Sequence, residues 1–149
     1  MIAPLLRVLE TPLGPSPLGF GPNLGLLVLR VALGGSMLLF HGLSKAESFG
    51  TMKATFPDPL GVGSTASLGL VVFAEVLCAA LLVLGFFTRL AAVPLIVTMS
   101  VAVFIQHGSD PWSERELPLL YLAGFAAVLF LGAGRASLDS AILTRSPRG

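Results

Sequence analysis

Residues 24–45 read LGLLVLRVALGGSMLLFHGLSK and decide the fold. This stretch is long and apolar enough to cross a bilayer as one helix, because about 20 such residues span the hydrocarbon core. It nevertheless contains Arg30, His41 and Lys45. At about 100° per residue, Arg30 and His41 fall on one helix face and Lys45 lies about 60° away. A bilayer accepts such a face only where it is turned away from lipid, so this face is the first place to look for function.

The composition of the whole chain is that of a membrane protein. Of its 149 residues, 54% are hydrophobic and 11% are charged, whereas soluble domains carry about 25% charged residues. The length suffices for one helical bundle without a separate soluble domain. The net charge of +1 provides no basic patch that could neutralise phosphates, which argues against a nucleic-acid partner. Cys78 is the single cysteine, so one chain cannot form an internal disulfide or run a dithiol redox cycle.

Four segments have the length and apolarity of membrane spans. Thr88-Arg89 is nearly the whole connection between the second and the third, and so short a link favours an antiparallel hairpin. We therefore predict an all-α fold, namely an antiparallel four-helix transmembrane bundle over residues 24–134 with short interfacial helices. The predicted spans are 24–43, 65–87, 90–107 and 117–133.

The segments outside the spans are predicted to lie at the membrane surface. Residues 1–23 form an interfacial N-terminal arm, 46–63 a short amphipathic helix, and 135–149 a tail. Four spans place both termini on one side, and the arginines on that side make it cytoplasmic by the positive-inside rule. We therefore expect a multi-pass protein of the cell inner (plasma) membrane with both termini in the cytoplasm.

Polar residues ahead of the apolar runs predict where helices begin. Asn23 and Ser64 are the predicted N-caps of the first and second spans. Ser113 and Glu116 match the capping-box pattern ahead of the fourth span.

Arg30 and Glu75 are the two charged residues that lie well inside the predicted spans, away from their ends. Each costs about 2.5–3.5 kcal/mol at the centre of a membrane helix. Three interpretations stay open. The two residues form a buried ion pair that fixes how the first two helices pack, or they border a ligand or proton site. In the third interpretation, Arg30 reaches the cytoplasmic headgroups by itself.

A second group of polar side chains falls near the outer end of the predicted bundle. His41, Lys45, His107 and Glu116 could converge there on one polar pocket. Histidine exchanges protons near physiological pH, so His41 and His107, together with Glu75, are the catalytic candidates. Lys45 and the histidines would attract an anion or a quinone carbonyl.

Ordinary roles are available for most of these residues. Lys45 can be an interfacial anchor, His107 a charge at a helix C-terminus, and Glu116 half of a capping box. Two histidines and a carboxylate could also bind a metal, but no close His pair supports this, and we predict no metal site. Cys78 is interpreted as a small buried residue.

Three segments carry these polar residues in order along the chain. They are LLVLRVALGGSMLLFHGLSK (26–45), FAEVLCAALLVLGFFTRLAAVPL (73–95) and ERELPLLYLAGFAAVLFLGAGRASLD (114–139). Through them the chain resembles the DoxX family of small four-helix integral membrane proteins over about residues 24–140. That resemblance implies a membrane-bound redox system. The family includes thiosulfate:quinone oxidoreductase subunits and assemblies with a sulfurtransferase and a superoxide dismutase.

The first functional hypothesis is therefore a redox-linked membrane subunit, part of a thiosulfate- or quinone-linked oxidoreductase. It would bind a quinone or a small sulfur-containing anion in an intramembrane polar pocket. The chain has no motif for a covalently bound cofactor, so electrons would pass through a bound quinone or a redox partner subunit. The ligand-binding candidates are Arg30, His41, Lys45, Glu75, His107 and Glu116.

Two other functions stay open. In a non-enzymatic assembly or scaffold subunit, the charges would only lock the helices together. A carrier for a small solute is less favoured, because four unbroken helices leave little room for alternating access. A homo-oligomer could change that by forming a pore between protomers.

Overall fold

The structure, a computed structural model, describes residues 20–145. Every regular element in this range is a helix, which confirms the predicted all-α fold. The first helix, α1, runs without a break through Phe20–Ser36, Met37–Gly42 and Leu43–Glu47. The later helices are α2 (Phe49–Met52), α3 (Ser64–Leu84), α4 (Thr88–Gln106), α5 (Trp112–Leu131) and α6 (Leu138–Arg145).

Three of these helices contain a π-helical turn, at Met37–Gly42 in α1, Phe73–Cys78 in α3 and Ala102–Gln106 in α4. Their hydrogen bonds reach five residues back. The Leu43 amide donates to the Leu38 carbonyl, and the His107 amide donates to the Ala102 carbonyl at 2.9 Å. Such a turn contains one residue more than an α-helical turn, so every later side chain is rotated away from its α-helical position. The π turns of α1 and α3 pack against each other.

α1, α3 and α4 are long and apolar enough to cross a membrane, over Gly21–Glu47, Ser64–Leu84 and Thr88–Gln106. The first turns of α5 contain three charged residues, Glu114, Arg115 and Glu116, which shortens the apolar part of this helix. The fourth span therefore stays a prediction.

The buried core lies along the contacts of α1, α3, α4 and α5. Met37, Leu82, Leu95 and Phe125 are all but inaccessible, and α5 packs along α4 over much of its length. The outer surface is also apolar, with large exposed side chains such as Phe130. An apolar surface outside a packed core is unfavourable in water and suits contact with acyl chains.

The helices do not begin at the predicted caps. α1 begins at Phe20, before Asn23, and the Asn23 side-chain oxygen instead accepts a hydrogen bond from the Arg135 amide at 2.8 Å. Ser64 is the first residue of α3, and its predecessor Gly63, with φ at +97°, takes the cap position. α5 begins at Trp112 after Pro111, and no side-chain capping bond is formed there. The predicted capping box of Ser113 and Glu116 is therefore wrong.

The segments flanking the bundle are covered in part. Residues 1–19 of the predicted arm and 146–149 of the predicted tail lie outside the described residues. Residues 20–23 belong to the first turn of α1, and the tail contains α6. In the predicted surface segment 46–63, helix is confined to the end of α1 and the short α2, and residues 53–63 form a loop.

Candidate functional site

A largely buried ion pair joins the C-terminal part of α1 to the middle of α3. Lys45 Nζ donates a hydrogen bond to Glu75 Oε2 at 2.5 Å. Side chains of a helix lean toward its N-terminus. Because α1 and α3 run in opposite directions, Lys45 leans into the bundle and Glu75 leans out toward it. The side chain of Glu75 is 4% exposed and that of Lys45 is 23% exposed, so the carboxylate depends on this lysine for its charge compensation.

Gly42 makes the close approach of α1 and α3 possible. A Cβ atom at this position would lie 2.5 Å from the backbone oxygen of Glu75, which no larger residue could avoid without moving a backbone. Gly42 ends the π turn of α1, and Glu75 lies within the π turn of α3. The sequence interpretation that paired Glu75 with Arg30 is therefore wrong, because the partner of Glu75 is Lys45.

A cavity of about 400 Å³ lies beside this ion pair. Lys45, Glu75 and His107 are lining residues, and most of the remaining wall is apolar. A cavity of this size, with apolar walls and a few polar groups, is typical of sites that bind small molecules.

The loop of residues 53–63 covers one side of the cavity with Phe56, Pro57, Pro59 and Leu60. We call this loop the roof. Asp58 holds it in place, because its carboxylate accepts hydrogen bonds from the amides of Val62 and Gly63, at 3.0 and 2.7 Å, and from the Ser67 hydroxyl at 2.7 Å. The Ser67 hydrogen bond, followed by those of the backbone amides, lowers the pKa of Asp58 below its ordinary value.

The other predicted site residues near this end are separated from one another. His107 Nδ1 lies 2.7 Å from Asp110 Oδ2, just after α4, and His107 lines the cavity. His41 does not line it and instead packs edge-on against the ring of Tyr121, with the ring centroids 5.7 Å apart. Glu116 is exposed near the start of α5 and does not line the cavity either. Within the described residues, no group of three His, Cys, Asp or Glu side chains could hold a metal.

Arg30 lies at the opposite end of the bundle from this cavity, and its side chain is fully buried. Its guanidinium donates hydrogen bonds to the carbonyls of Leu82, Val83 and Ala136 at 3.1, 3.3 and 2.6 Å. Arg30 therefore neither pairs with Glu75 nor reaches toward headgroups alone. It ties α1 to the end of α3 and to the segment before α6.

A network around the turn between α3 and α4 surrounds Arg30. Gly85 has φ at +67°, and a Cβ there would overlap the Arg30 guanidinium. The buried Asp139 of α6 accepts hydrogen bonds from the amides of Phe87 and Thr88, at 2.8 and 3.0 Å, and so caps α4. Arg89, at the start of α4, is also buried, and its Nη2 lies 3.5 Å from the carbonyl oxygen of Phe130.

Two groups of charged or titratable side chains thus lie at opposite ends of the bundle. Lys45, Glu75 and His107 line the cavity, while Arg30 and Asp139 lie around the turn between α3 and α4. The model of the DoxX family matches residues 25–108, which contain the ion pair, the roof and all of α3 and α4. The chain belongs to the DoxX family.

Relatives of this DoxX protein match most of its length. It is 28% identical to an uncharacterized protein of Haemophilus influenzae over 132 residues, which cover 83% of this chain and 87% of the relative. It is 32% identical over 122 residues to an uncharacterized membrane protein of Mycobacterium tuberculosis, covering 66% of this chain and 75% of the relative. No solved structure matches this DoxX protein.

Sequence reasoning missed the roles of Asp58, Asp139 and Tyr121 in this DoxX protein. Asp58, between two prolines, marks a turn whose amides need an acceptor, which is a signal that could have been used. Asp139 belonged to a segment quoted for the family resemblance, but nothing in its spacing links it to the start of α4. The Tyr121 hydroxyl donates to Ser36 Oγ at 2.9 Å between α5 and α1, a contact that depends on tertiary packing.

Proposed function

We propose that this DoxX protein is a redox-linked membrane subunit that binds the head group of a quinone in the cavity beside Lys45 and Glu75. The observation that carries the proposal is a buried ion pair on the wall of an otherwise apolar cavity. A buried charge pair in a membrane span is costly and is retained at sites where it acts on a substrate, an ion or a proton.

The groups present fit a quinone head group. Its ring is flat and apolar, and its carbonyls accept hydrogen bonds. Lys45 carries three N–H donors, and among the described residues only one of them is used, in the bond to Glu75. The Lys45 ammonium can therefore donate to a quinone carbonyl. Contact with the apolar wall removes the ring from water, which stabilises binding by about 25 cal/mol per Å² of apolar surface buried. His107 supplies a second polar group on the wall.

A small sulfur-containing anion fits the same cavity less well. Glu75 already neutralises Lys45, so the ion pair presents no net positive charge. Apolar walls would strip water from the anion without replacing its hydrogen bonds, which is far more costly for an ion than for an uncharged carbonyl compound. The neutral ligand is therefore the one that we propose.

The chain's own residues would orient the head group and exchange protons. A bound quinone supplies two-electron, two-proton redox chemistry, and the electrons would come from a redox partner subunit. Lys45 would polarise one carbonyl oxygen. His107, held by Asp110 at 2.7 Å, is the group best placed to move a proton between the cavity wall and water.

We further propose that the protein lies in the plasma membrane, that α5 is its fourth span, and that both termini face the cytoplasm. The support is that α5 packs along α4 and presents Leu120 and Phe130 outward. The test is a Cys78→Ser protein with one new cysteine at an exposed position. Ser109→Cys should react with a membrane-impermeant maleimide in intact cells, and Ala136→Cys only after permeabilisation. The reverse pattern would overturn this orientation.

Calorimetric titration of the protein in lipid nanodiscs with a short-chain benzoquinone tests the binding proposal. We expect saturable binding that Lys45→Met weakens at least about tenfold, corresponding to about 1.4 kcal/mol. Lys53→Met removes an exposed lysine from the neighbouring loop and should bind like the wild type. Helical circular dichroism of each variant confirms folding. Absence of saturable binding by the wild type, or equal binding by Lys45→Met, would refute the proposal and favour the scaffold function.

A further inference from the structure

We infer that the ligand enters the cavity sideways from the lipid, between α3 and α4, and leaves a hydrophobic tail in the bilayer. This inference rests on the proposed function and specifies its ligand as an uncharged amphiphile with an apolar tail. The position that decides access is the gap bordered by Leu70 of α3 and Val97 of α4.

Leu70 and Val97 belong both to the cavity wall and to the outer surface. Each lines the cavity, yet Leu70 is 59% exposed and Val97 is 53% exposed. Both lie within apolar spans, where an outward-facing side chain meets acyl chains. The cavity therefore continues to the lipid-facing surface at these two residues.

The packing of the two helices explains the gap. α4 packs against the Phe73–Cys78 and Ala79–Leu84 segments of α3. The preceding segment, Ser64–Val72, packs instead against Leu43–Glu47 of α1. The two helices are thus joined near the Gly85 turn and separate farther from it, which is where the cavity lies.

Two irregular segments lie between the turn and the gap. Pro94 is inside α4 and lacks the amide hydrogen that would bond to the carbonyl four residues before it. The π turn of α3, Phe73–Cys78, also interrupts the regular ladder of hydrogen bonds. Both are recognised causes of bends in helices, and both lie between the turn that joins α3 and α4 and the region where the two helices separate.

The side of the cavity away from lipid is covered in part by the roof. The roof residues on this side are Phe56, Pro57 and Leu60. The Asp58 carboxylate holds the roof in place by accepting hydrogen bonds from the Gly63 amide, within the roof, and from the Ser67 hydroxyl of α3. A ligand dissolved in water would have to displace this apolar roof. A ligand dissolved in the bilayer needs only to pass Leu70 and Val97.

The test is the association rate of a benzoquinone with a decyl tail, measured by stopped flow with the protein in nanodiscs. Val97→Trp places a large ring in the gap and should slow association at least tenfold. Val97→Ala widens the gap and should speed it. Val93→Trp is the matched control, because Val93 is exposed on the same helix but does not line the cavity, and it should associate at the wild-type rate.

Two outcomes separate failure of this inference from failure of the proposed function. If the wild type binds the quinone and both Val97 variants associate at its rate, access is not from the lipid, and the inference is overturned. If the wild type binds neither the tailed quinone nor a tail-less one, the proposed function itself fails. Val97→Trp and Val97→Ala change the side chain in opposite directions, and opposite effects on the association rate are expected, so the inference does not rest on one variant alone.

Discussion

Removing both partners of the Lys45–Glu75 ion pair should destabilise the protein by less than the sum of the two single removals. Lys45→Met leaves the Glu75 carboxylate inside the bundle without a counter-charge. Glu75→Gln leaves the lysine without its carboxylate but with an amide oxygen in the same place. The double variant leaves no uncompensated charge, so part of the loss should be recovered.

The magnitude follows from the burial of the two side chains. Removing one partner of a buried ion pair costs about 3–5 kcal/mol. The Glu75 side chain is 4% exposed and the Lys45 side chain 23% exposed. Stranding the carboxylate should therefore cost about 5 kcal/mol and stranding the ammonium about 3 kcal/mol. We expect a coupling energy of about 2–3 kcal/mol, well above the average of about 0.6 kcal/mol for hydrogen bonds in membrane proteins.

The assay is reversible unfolding of the four proteins of the cycle by SDS in mixed micelles, followed by circular dichroism. A parallel cycle on Glu47→Gln and Lys53→Met, two exposed charges of the same region, controls for the change in net charge and should show no coupling. If the effects of Lys45→Met and Glu75→Gln add to within about 0.5 kcal/mol, the two residues do not form the ion pair described, and the reasoning from it fails.

Three further predictions concern other parts of the molecule. Gly42→Ala should destabilise by about 1–3 kcal/mol because its Cβ meets the Glu75 backbone, whereas Gly35→Ala, with open space around it, should be neutral or stabilising in the same SDS assay. Arg30→Met should lower stability by about 3 kcal/mol through lost charge-assisted hydrogen bonds, yet leave quinone affinity in the calorimetric assay within twofold of wild type; a tenfold loss would restore Arg30 to the binding site. The lowered pKa of Asp58 means that its carboxylate supports the roof fully at neutral pH and loses this effect only below about 3.9, the ordinary aspartate value. Asp58→Asn should therefore speed hydrogen exchange at Val62 and Gly63 at pH 7, and unchanged exchange would show that Asp58 does not hold the roof.

The helical membrane fold could be predicted from the sequence because hydropathy and span length are set by the bilayer itself. The shortness of the connection correctly predicted that α3 and α4 form a hairpin, but the turn is at residues 85–87, and Thr88 and Arg89, the predicted link, are the first residues of α4. The buried character of Cys78 was also predicted correctly. The starts of the helices were not predicted correctly. Asn23 accepts a hydrogen bond from the Arg135 amide instead of capping α1, and no side-chain capping bond forms at the start of α5, near Ser113.

The pairing of the charges could not be predicted because the helices are not regular. In a regular helix, at about 100° per residue, Arg30 and His41 would share one face of α1 and Lys45 would lie about 60° away. The π turn at Met37–Gly42 adds a residue to one turn and rotates His41 and Lys45 relative to Arg30. In the structure His41 packs against Tyr121, and Lys45 pairs with Glu75, the carboxylate that one sequence interpretation paired with Arg30. No local sequence signal indicated this turn.

The role of Arg30 was missed because its partners are backbone carbonyls. Depth and charge identified Arg30 as costly to bury, and a carboxylate was the expected compensation. The structure instead supplies carbonyls at the end of α3 and before α6, where regular α-helical hydrogen bonding ends. The Leu82 carbonyl also accepts from the Gly85 amide at 3.1 Å. Such acceptors are invisible to a search for charged side chains.

A crystal structure of the protein in a lipid phase with a tailed benzoquinone is the most direct test of the central claim. The account predicts non-protein density in the cavity, with a carbonyl oxygen within hydrogen-bond distance of Lys45 Nζ and a tail passing between Leu70 and Val97. An empty cavity with the quinone bound elsewhere, or Lys45 and Glu75 pointing apart, would contradict it.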